Sequence, residues 1–207
     1  YGHLGQPYKQ IEYLEAVYAW FRKFGHALLP DDLSVAIQGL DNLSMAYGHI
    51  VRFDLAVALA RETLAMRLKY QGNSKSKVPV AYNNLATTYT KKGDFKLAIH
   101  FLEKALARLP QEEQLEELRA SFYSNLGVCY GNLGDIGRAI EYQELVLRLR
   151  LKYLPPGHPD LAGTYHNLAS NYAANGDTET AIYWFNAAIE TFRKSQGPAH
   201  PAVAFFY

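Results

Sequence analysis

The chain has 207 residues, of which 49% are hydrophobic and 20% charged, and its formal net charge is +1. A charge so close to zero excludes bulk attraction to nucleic acid or to an anionic membrane. The single cysteine, Cys129, cannot form an internal disulfide. The sequence also lacks the run of about 18 apolar residues that a membrane span needs. These features favour a cytoplasmic protein with neither nucleic acid nor a membrane as its partner.

Helical periodicity runs along almost the whole chain. The first predicted helix covers residues 8–24, where apolar residues recur at three- and four-residue spacing. A truncated pair of helices begins at Pro201. Between them the pattern predicts four pairs of helices, with bounds of about 32–49 and 52–70, 78–92 and 94–109, 112–133 and 135–153, and 159–175 and 178–195.

One asparagine position recurs in the first helix of each pair, at steps of 42, 41 and 42 residues. Such a fixed period is typical of a solenoid, because one helix pair cannot bury its apolar face alone and must stack on neighbours. An alanine also recurs fourteen residues after each asparagine, and a small side chain there lets the two helices approach closely. The asparagines are Asn42, Asn84, Asn125 and Asn167, and the alanines are Ala56, Ala98, Ala139 and Ala181.

A Gly-Asp dipeptide separates the two helices in three of the four pairs, at residues 93–94, 134–135 and 176–177. Glycine can end the first helix in the left-handed conformation, and the aspartate can cap the second. The first pair has Val51 and Arg52 instead. We therefore expect its turn to be looser or differently capped.

The order of residues in the first helices resembles the tetratricopeptide repeat. Leu85, Ala86 and Tyr89 show the leucine, small residue and tyrosine that recur in every copy. The period and the repeated linkers, PPGHPDLA and GPAHPAVA, are most similar to the kinesin-light-chain type of repeat. This resemblance implies an all-α, right-handed α-solenoid superhelix of helix-turn-helix repeats, with a concave groove that binds a peptide.

We expect the chain to be a single superhelical domain and a fragment of a longer protein. The predicted bounds are a partial repeat over residues 1–30, repeats over about 31–76, 77–111, 112–157 and 158–199, and a truncated repeat over 200–207.

The resemblance places one polar face of the first helices in the groove. An asparagine amide offers both donors and an acceptor, so a row of four can bind the backbone of an extended peptide. The alternative is that each amide ties its helix to neighbouring backbone. The predicted peptide-binding residues are the asparagine ladder, Asn42, Asn84, Asn125 and Asn167, together with His49, Asn83, Thr87, Lys91, Asn132 and His166.

The motifs of an enzyme or a cofactor protein are not found. Gly131, Gly134 and Gly137 fit helix turns rather than a phosphate loop, which follows a strand. The histidines His158, His166 and His200 lack the spacing of metal ligands. Cys129 and the two tryptophans, Trp20 and Trp184, fit packing positions, and the acidic run 111–118 fits a solvated helix face better than an acidic docking site.

The sequence thus predicts a protein–protein interaction module without enzymatic activity, cofactor or metal. Two alternatives remain open: a regulatory or sensor arm of a larger NTPase or protease, and a scaffold that self-associates through its exposed end repeats.

Overall fold

The computed structural model describes residues 11–12, 15–16, 18–19, 22–23, 30–72 and 74–196. These residues form eight complete α-helices and contain no strand, and those before Pro30 are helical as well. The prediction of an all-α chain is confirmed. The predicted pair that begins at Pro201 lies outside the described residues. The helices are α1 (Pro30–His49), α2 (Phe53–Tyr70), α3 (Lys77–Lys92), α4 (Phe95–Arg108), α5 (Glu116–Asn132), α6 (Ile136–Tyr153), α7 (Pro159–Ala174) and α8 (Thr178–Gln196).

The start of α5 differs from the prediction of about residue 112, because a 3₁₀ turn (Glu113–Leu115) precedes it. Within the acidic run, Glu116 lies 3.5 Å from Arg119, and Glu117 lies 2.9 Å from Arg150. Half of the four glutamates in this run are therefore engaged by arginines rather than only by solvent.

The chain divides into two compact units, one ending at Leu109 and the other beginning at Pro110. In the first unit, the hairpin α1–α2 stacks on the hairpin α3–α4 through contacts of α2 with α3 and of α1 with α3. The second unit repeats this arrangement, with α6 and α5 both contacting α7. Each unit is thus a stack of two helical hairpins, while the single domain over residues 1–207 stays a prediction.

The small residues lie where the two helices of each hairpin meet. The alanines at the recurring position of the second helices are 0–3% exposed, and their small partners in the first helices are buried. In the first hairpin the Ser44 hydroxyl donates to the Ala56 carbonyl at 2.8 Å, so the short serine side chain reaches the backbone of α2 directly. The predicted role of the small residues is confirmed. These partners are Ser44, Ala86, Gly127 and Ala169.

Aromatic rings fill the space beside the small residues. In the second hairpin, Phe101 of α4 stacks on Tyr82 and Tyr89 of α3, with centroids 6.3 and 5.6 Å apart. The third and fourth hairpins use the same position for Tyr142 and Trp184. Trp184 is therefore a packing residue, as predicted.

Tyrosine hydroxyls also tie successive hairpins together. Tyr89 of α3 accepts from Arg61 of α2 at 2.5 and 3.0 Å. Tyr172 of α7 donates to Glu144 of α6 at 2.8 Å. Burial and the neighbouring Glu144 carboxylate raise the pKa of Tyr172 above its ordinary value, so the phenol remains a neutral donor at physiological pH.

The three Gly-Asp turns share one geometry. Gly93, Gly134 and Gly176 have φ values of +89°, +82° and +83°. The following aspartate accepts a hydrogen bond from the backbone N–H three residues later, at 3.1–3.3 Å. Its own N–H donates to the carbonyl of the recurring tyrosine at 2.9–3.0 Å, which completes a Schellman motif. The predicted turn is confirmed in all three copies.

The first hairpin has the same backbone turn without the residues that suit it. The N–H of Arg52 donates to the Tyr47 carbonyl at 2.9 Å, as the aspartates do in the other hairpins. Val51 takes the glycine position at a φ of +63°, and Arg52 makes no side-chain cap. The expectation of a looser turn is wrong, whereas the expectation of different capping is correct. A β-branched residue in this region is strained.

Replacing Val51 with glycine should stabilise the first unit. A left-handed conformation costs a side-chain-bearing residue roughly 1–2 kcal/mol relative to glycine. We expect V51G to raise the free energy of unfolding by about 1 kcal/mol. The gain is at the lower end of the range because the relief of strain is partly offset by the larger backbone entropy that glycine loses on folding. Urea denaturation followed by circular dichroism measures the change.

Gly93→Val is the matched control for this experiment. A Cβ at Gly93 would meet nothing within 4 Å, so the substitution introduces backbone strain without a steric clash. G93V should therefore lower the midpoint of unfolding, while V51G raises it. Equal midpoints for V51G and the parent chain would show that Val51 is not strained.

Candidate functional site

Each unit contains a pocket between its two first helices. In the first unit, the α1–α3 pocket has a volume of about 70 Å³. In the second unit, the α5–α7 pocket has a volume of about 250 Å³, and α6 contributes to its wall. The α1–α3 pocket is lined by Asp41, Ser44, Met45, Gly48, Asn84, Thr87, Thr88 and Lys91. The α5–α7 pocket is lined by Val128, Gly131, Asn132, Ile136, Gln143, Asn167, Ser170, Asn171 and Ala174.

The two pockets occupy equivalent places in the repeat. A ladder asparagine lies in each, Asn84 in one and Asn167 in the other, with a hydroxyl residue three positions later. Glycine occupies the facing position of the preceding first helix in both cases, as Gly48 and Gly131. The repeated sequence therefore builds the same pocket twice, with different side chains around it.

The structure brings five of the ten predicted binding residues into these pockets. Asn84, Thr87 and Lys91 line the α1–α3 pocket, and Asn132 and Asn167 line the α5–α7 pocket. Their role in binding stays a prediction.

The other five predicted residues lie outside both linings. Asn42 is exposed and accepts from Gln38 in its own helix at 3.4 Å, and His49 is exposed at the end of α1. Asn83 and Asn125 are half-buried. His166 lies edge-on to Phe185 of α8, at 5.6 Å between ring centroids.

The predicted binding asparagines that line the pockets differ in their hydrogen bonding. Asn132 donates to the Val128 carbonyl of its own helix at 2.8 Å. Within the described part of the chain, the side-chain amides of Asn84 and Asn167 take part in no hydrogen bond. The structure therefore does not support the alternative in which the side-chain amides of Asn84 and Asn167 bond to a neighbouring backbone.

The α1–α3 pocket carries one positive charge that its own residues do not neutralise. Asp41 is 3% exposed and lies 2.5 Å from the buried guanidinium of Arg67. Lys91 is exposed and extends its aliphatic stem over Gly48, where the Cδ atom would be 3.6 Å from an added Cβ. The ammonium of Lys91 forms no ion pair among the described residues. An acidic group of a ligand would therefore be favoured here.

The wall of the α5–α7 pocket contains Gln143, which the sequence analysis did not single out. Gln143 is 1% exposed, and its Nε2 donates to the Ser124 carbonyl at 3.2 Å. Its Oε1 is buried without a partner. Aligning the hairpins on Ala98 and Ala139 would have revealed it, because the equivalent residue four positions after Ala98 is the fully buried Leu102.

A third cavity, of about 340 Å³, lies in the first unit against the N-terminal helical residues. Within it Tyr18 donates to Glu62, and Tyr47 donates to Glu15. Burial and these carboxylates raise the pKa of Tyr18 to about 12 and the pKa of Tyr47 to about 12. Both phenols are therefore neutral donors at physiological pH rather than acids or bases.

The described residues form neither a metal site nor a membrane-spanning helix. No group of three His, Cys, Asp or Glu side chains within them is arranged to hold a metal ion. None of the described helices combines the length and apolar character that crossing a membrane requires.

The helical hairpins recur at one period, share one backbone turn between their two helices and pack through small residues. These features define an all-α solenoid repeat protein. A sequence profile described as "Tetratricopeptide repeat" matches residues 35–111 and 118–205. The chain belongs to the tetratricopeptide repeat family, as predicted. No curated protein matches it significantly.

Solved structures show the same fold. BtubC (BKLC) from P. vanneervenii is 26% identical with a TM-score of 0.76, over 96% of this chain and 79% of that protein. A putative kinesin light chain of Podosopora anserina with nearly identical TPR-like repeats is 25% identical with a TM-score of 0.72, over 95% and 92%. The apo form of RapI, at 18% identity and a TM-score of 0.74, shares only the fold, and this chain covers 50% of it. The likeness to kinesin-light-chain repeats is confirmed.

Breaking the ion pair below the α1–α3 pocket should destabilise the first unit. Replacing Asp41 with asparagine leaves the guanidinium of Arg67 buried without a counter-charge, which typically costs about 3–5 kcal/mol. We expect D41N to lower the free energy of unfolding by roughly 3 kcal/mol in urea denaturation. The double variant D41L/R67M should recover most of this loss. Glu190→Gln, in an exposed pair with Lys194, is the control and should change little. A D41N chain as stable as the parent would contradict the buried pairing.

Proposed function

We propose that the chain is a protein–protein interaction module whose first helices bind extended segments of a partner protein. The unpaired amides of Asn84 and Asn167 carry this proposal, since they lie at the same repeat position in two separate pockets. An amide can donate to a backbone carbonyl and accept from a backbone N–H at the same time. Contacts of this kind hold a peptide backbone regardless of its side chains, as β-strand addition does elsewhere.

The module acts by binding and carries no catalytic step, cofactor or metal. Tetratricopeptide repeat proteins are generally protein–protein interaction modules. We place it in the cytoplasm, because its one cysteine, Cys129, is a buried thiol that suits a reducing compartment.

Display of random twelve-residue peptides against the immobilised 207-residue chain tests the proposal. The affinity of a selected peptide is then measured by fluorescence anisotropy for the parent chain and for N84A/N167A. Each net hydrogen bond is worth about 0.5–1.5 kcal/mol, so the double variant should bind at least about tenfold more weakly. Its melting temperature should stay close to that of the parent, since neither amide has an internal partner.

Asn186→Ala is the matched control, because Asn186 is an exposed asparagine on α8, a second helix. It should leave affinity unchanged. The proposal fails if no peptide is selected, or if N84A/N167A and N186A weaken binding equally.

The positive charge of Lys91 should select an acidic residue in the bound segment. K91E should weaken binding of an acidic peptide about tenfold at low salt, and this loss should shrink as the ionic strength rises and screening increases. Titrations at several salt concentrations measure both effects. Lys96→Glu makes the same charge change at an exposed site on α4 and should have a smaller effect. Equal losses for the two variants would mean that Lys91 has no direct contact with the ligand.

A further inference from the structure

The side chain of Gln143 is oriented by its own hydrogen bond. Its terminal amide donates through Nε2 to the Ser124 carbonyl at 3.2 Å, and a carbonyl oxygen can only accept. The reversed orientation would place two acceptors against each other. The oxygen Oε1 is therefore the buried atom left without a donor, and it belongs to a residue in the wall of the α5–α7 pocket.

The fold makes room for this glutamine at a particular place. A Cβ on Gly127 of α5 would lie 2.8 Å from Nε2 of Gln143 and 3.3 Å from the Ala139 carbonyl. The preceding hairpin has Ala86 and Leu102 at the same two repeat positions, and both are fully buried. A leucine beside an alanine thus satisfies the packing at these positions, so packing alone does not require a glutamine beside a glycine.

The remaining lining of the α5–α7 pocket is uncharged, and four of its eight residues are polar. Asn167, Ser170 and Asn171 face Gln143 from α7, and none of the nine lining residues is ionisable. The Oδ1 atom of Asn171 would lie 3.4 Å from a Cβ on Gly131, so the missing side chain at Gly131 keeps this side of the pocket open. The pocket therefore presents donors and acceptors together, within a volume of about 250 Å³.

These features discriminate between chemical groups. A carboxylate can accept from Asn171 but cannot donate to Oε1 of Gln143, and an ammonium ion would find no counter-charge in the lining. An apolar group would leave Oε1 buried and unpaired. A primary amide donates through its nitrogen and accepts through its oxygen, and it carries no charge that needs a partner.

We propose that the α5–α7 pocket is a specificity pocket for the side-chain amide of a glutamine or asparagine in the bound segment, with Oε1 of Gln143 as its acceptor. This inference rests on the proposed binding of an extended segment. It adds the identity of one residue of that segment, which the ladder asparagines cannot select because they contact backbone.

The pocket can be probed without knowing the partner. N-acetylglutamine methylamide is titrated into the isotope-labelled 207-residue chain, and the side-chain amide signals of Asn167 and Asn171 are followed by NMR. The corresponding glutamate and leucine derivatives are titrated in parallel. We expect saturable shifts with the glutamine probe in the millimolar range, and at least fivefold weaker binding of the other two.

The variant Q143M tests the acceptor itself, because methionine is a neutral, unbranched side chain of similar length. It should remove the preference for the glutamine probe over the leucine probe. The double variant G127A/Q143L restores the pair found in the preceding hairpin and should behave in the same way, which guards against misfolding of Q143M. Gln114→Met changes an exposed glutamine and is the matched control.

Equal affinity for the three probes, or an unchanged glutamine preference in both Gln143 variants, would overturn the inference and leave water as the partner of Oε1. That outcome leaves the proposed function intact if displayed peptides still depend on Asn84 and Asn167. Conversely, selective binding of the glutamine probe without any selected peptide would support the pocket and refute the binding of an extended segment.

Discussion

The close approach of two helices within each hairpin is the constraint on which the rest of the structure depends. Only small side chains fit where the helices meet, and Ala56, Ala98, Ala139 and Ala181 are almost completely buried there. Once the backbones are this close, the aromatic rings beside them must stack, and the chain between the helices must reverse within a few residues. The Schellman turn meets that requirement, so the turn and the aromatic stacks both follow from the small residues.

The same packing leaves one face of each first helix without a partner in its own hairpin. Leu85 and Ala86 are fully buried, whereas Asn84, the residue before them, lines the α1–α3 pocket. A glycine on the preceding first helix, Gly48 or Gly131, keeps that pocket open. The proposed binding face is therefore the face that packing within the hairpin does not use, and it recurs because the packing recurs.

Features that depend on residues close in sequence could be predicted well. The helices, the three Gly-Asp turns and the burial of Leu85 or Ala98 follow from local periodicity and turn chemistry. The pocket linings could not be predicted in the same way. A helical wheel gives Asn42 and Asn84 the same direction, but a pocket forms only where a second first helix lies alongside, and among the described residues Asn42 has no earlier one.

Val51 and Gln143 depart from the repeat pattern in different ways. Val51 occupies a glycine position at a φ of +63°, and nothing in the structure explains it, since its side chain is 68% exposed. Gln143 places a polar group in a core position, which is costly unless every polar atom is paired. A purely structural glutamine would use both ends of its amide, but Gln143 uses only its nitrogen. Local rules are most often broken at functional or strained sites. The side chain of Val51 is exposed to solvent, whereas Gln143, whose side-chain oxygen is unpaired, lies in the wall of a pocket that also contains a ladder asparagine. This contrast supports our proposal that Gln143 acts in recognition rather than only in the fold.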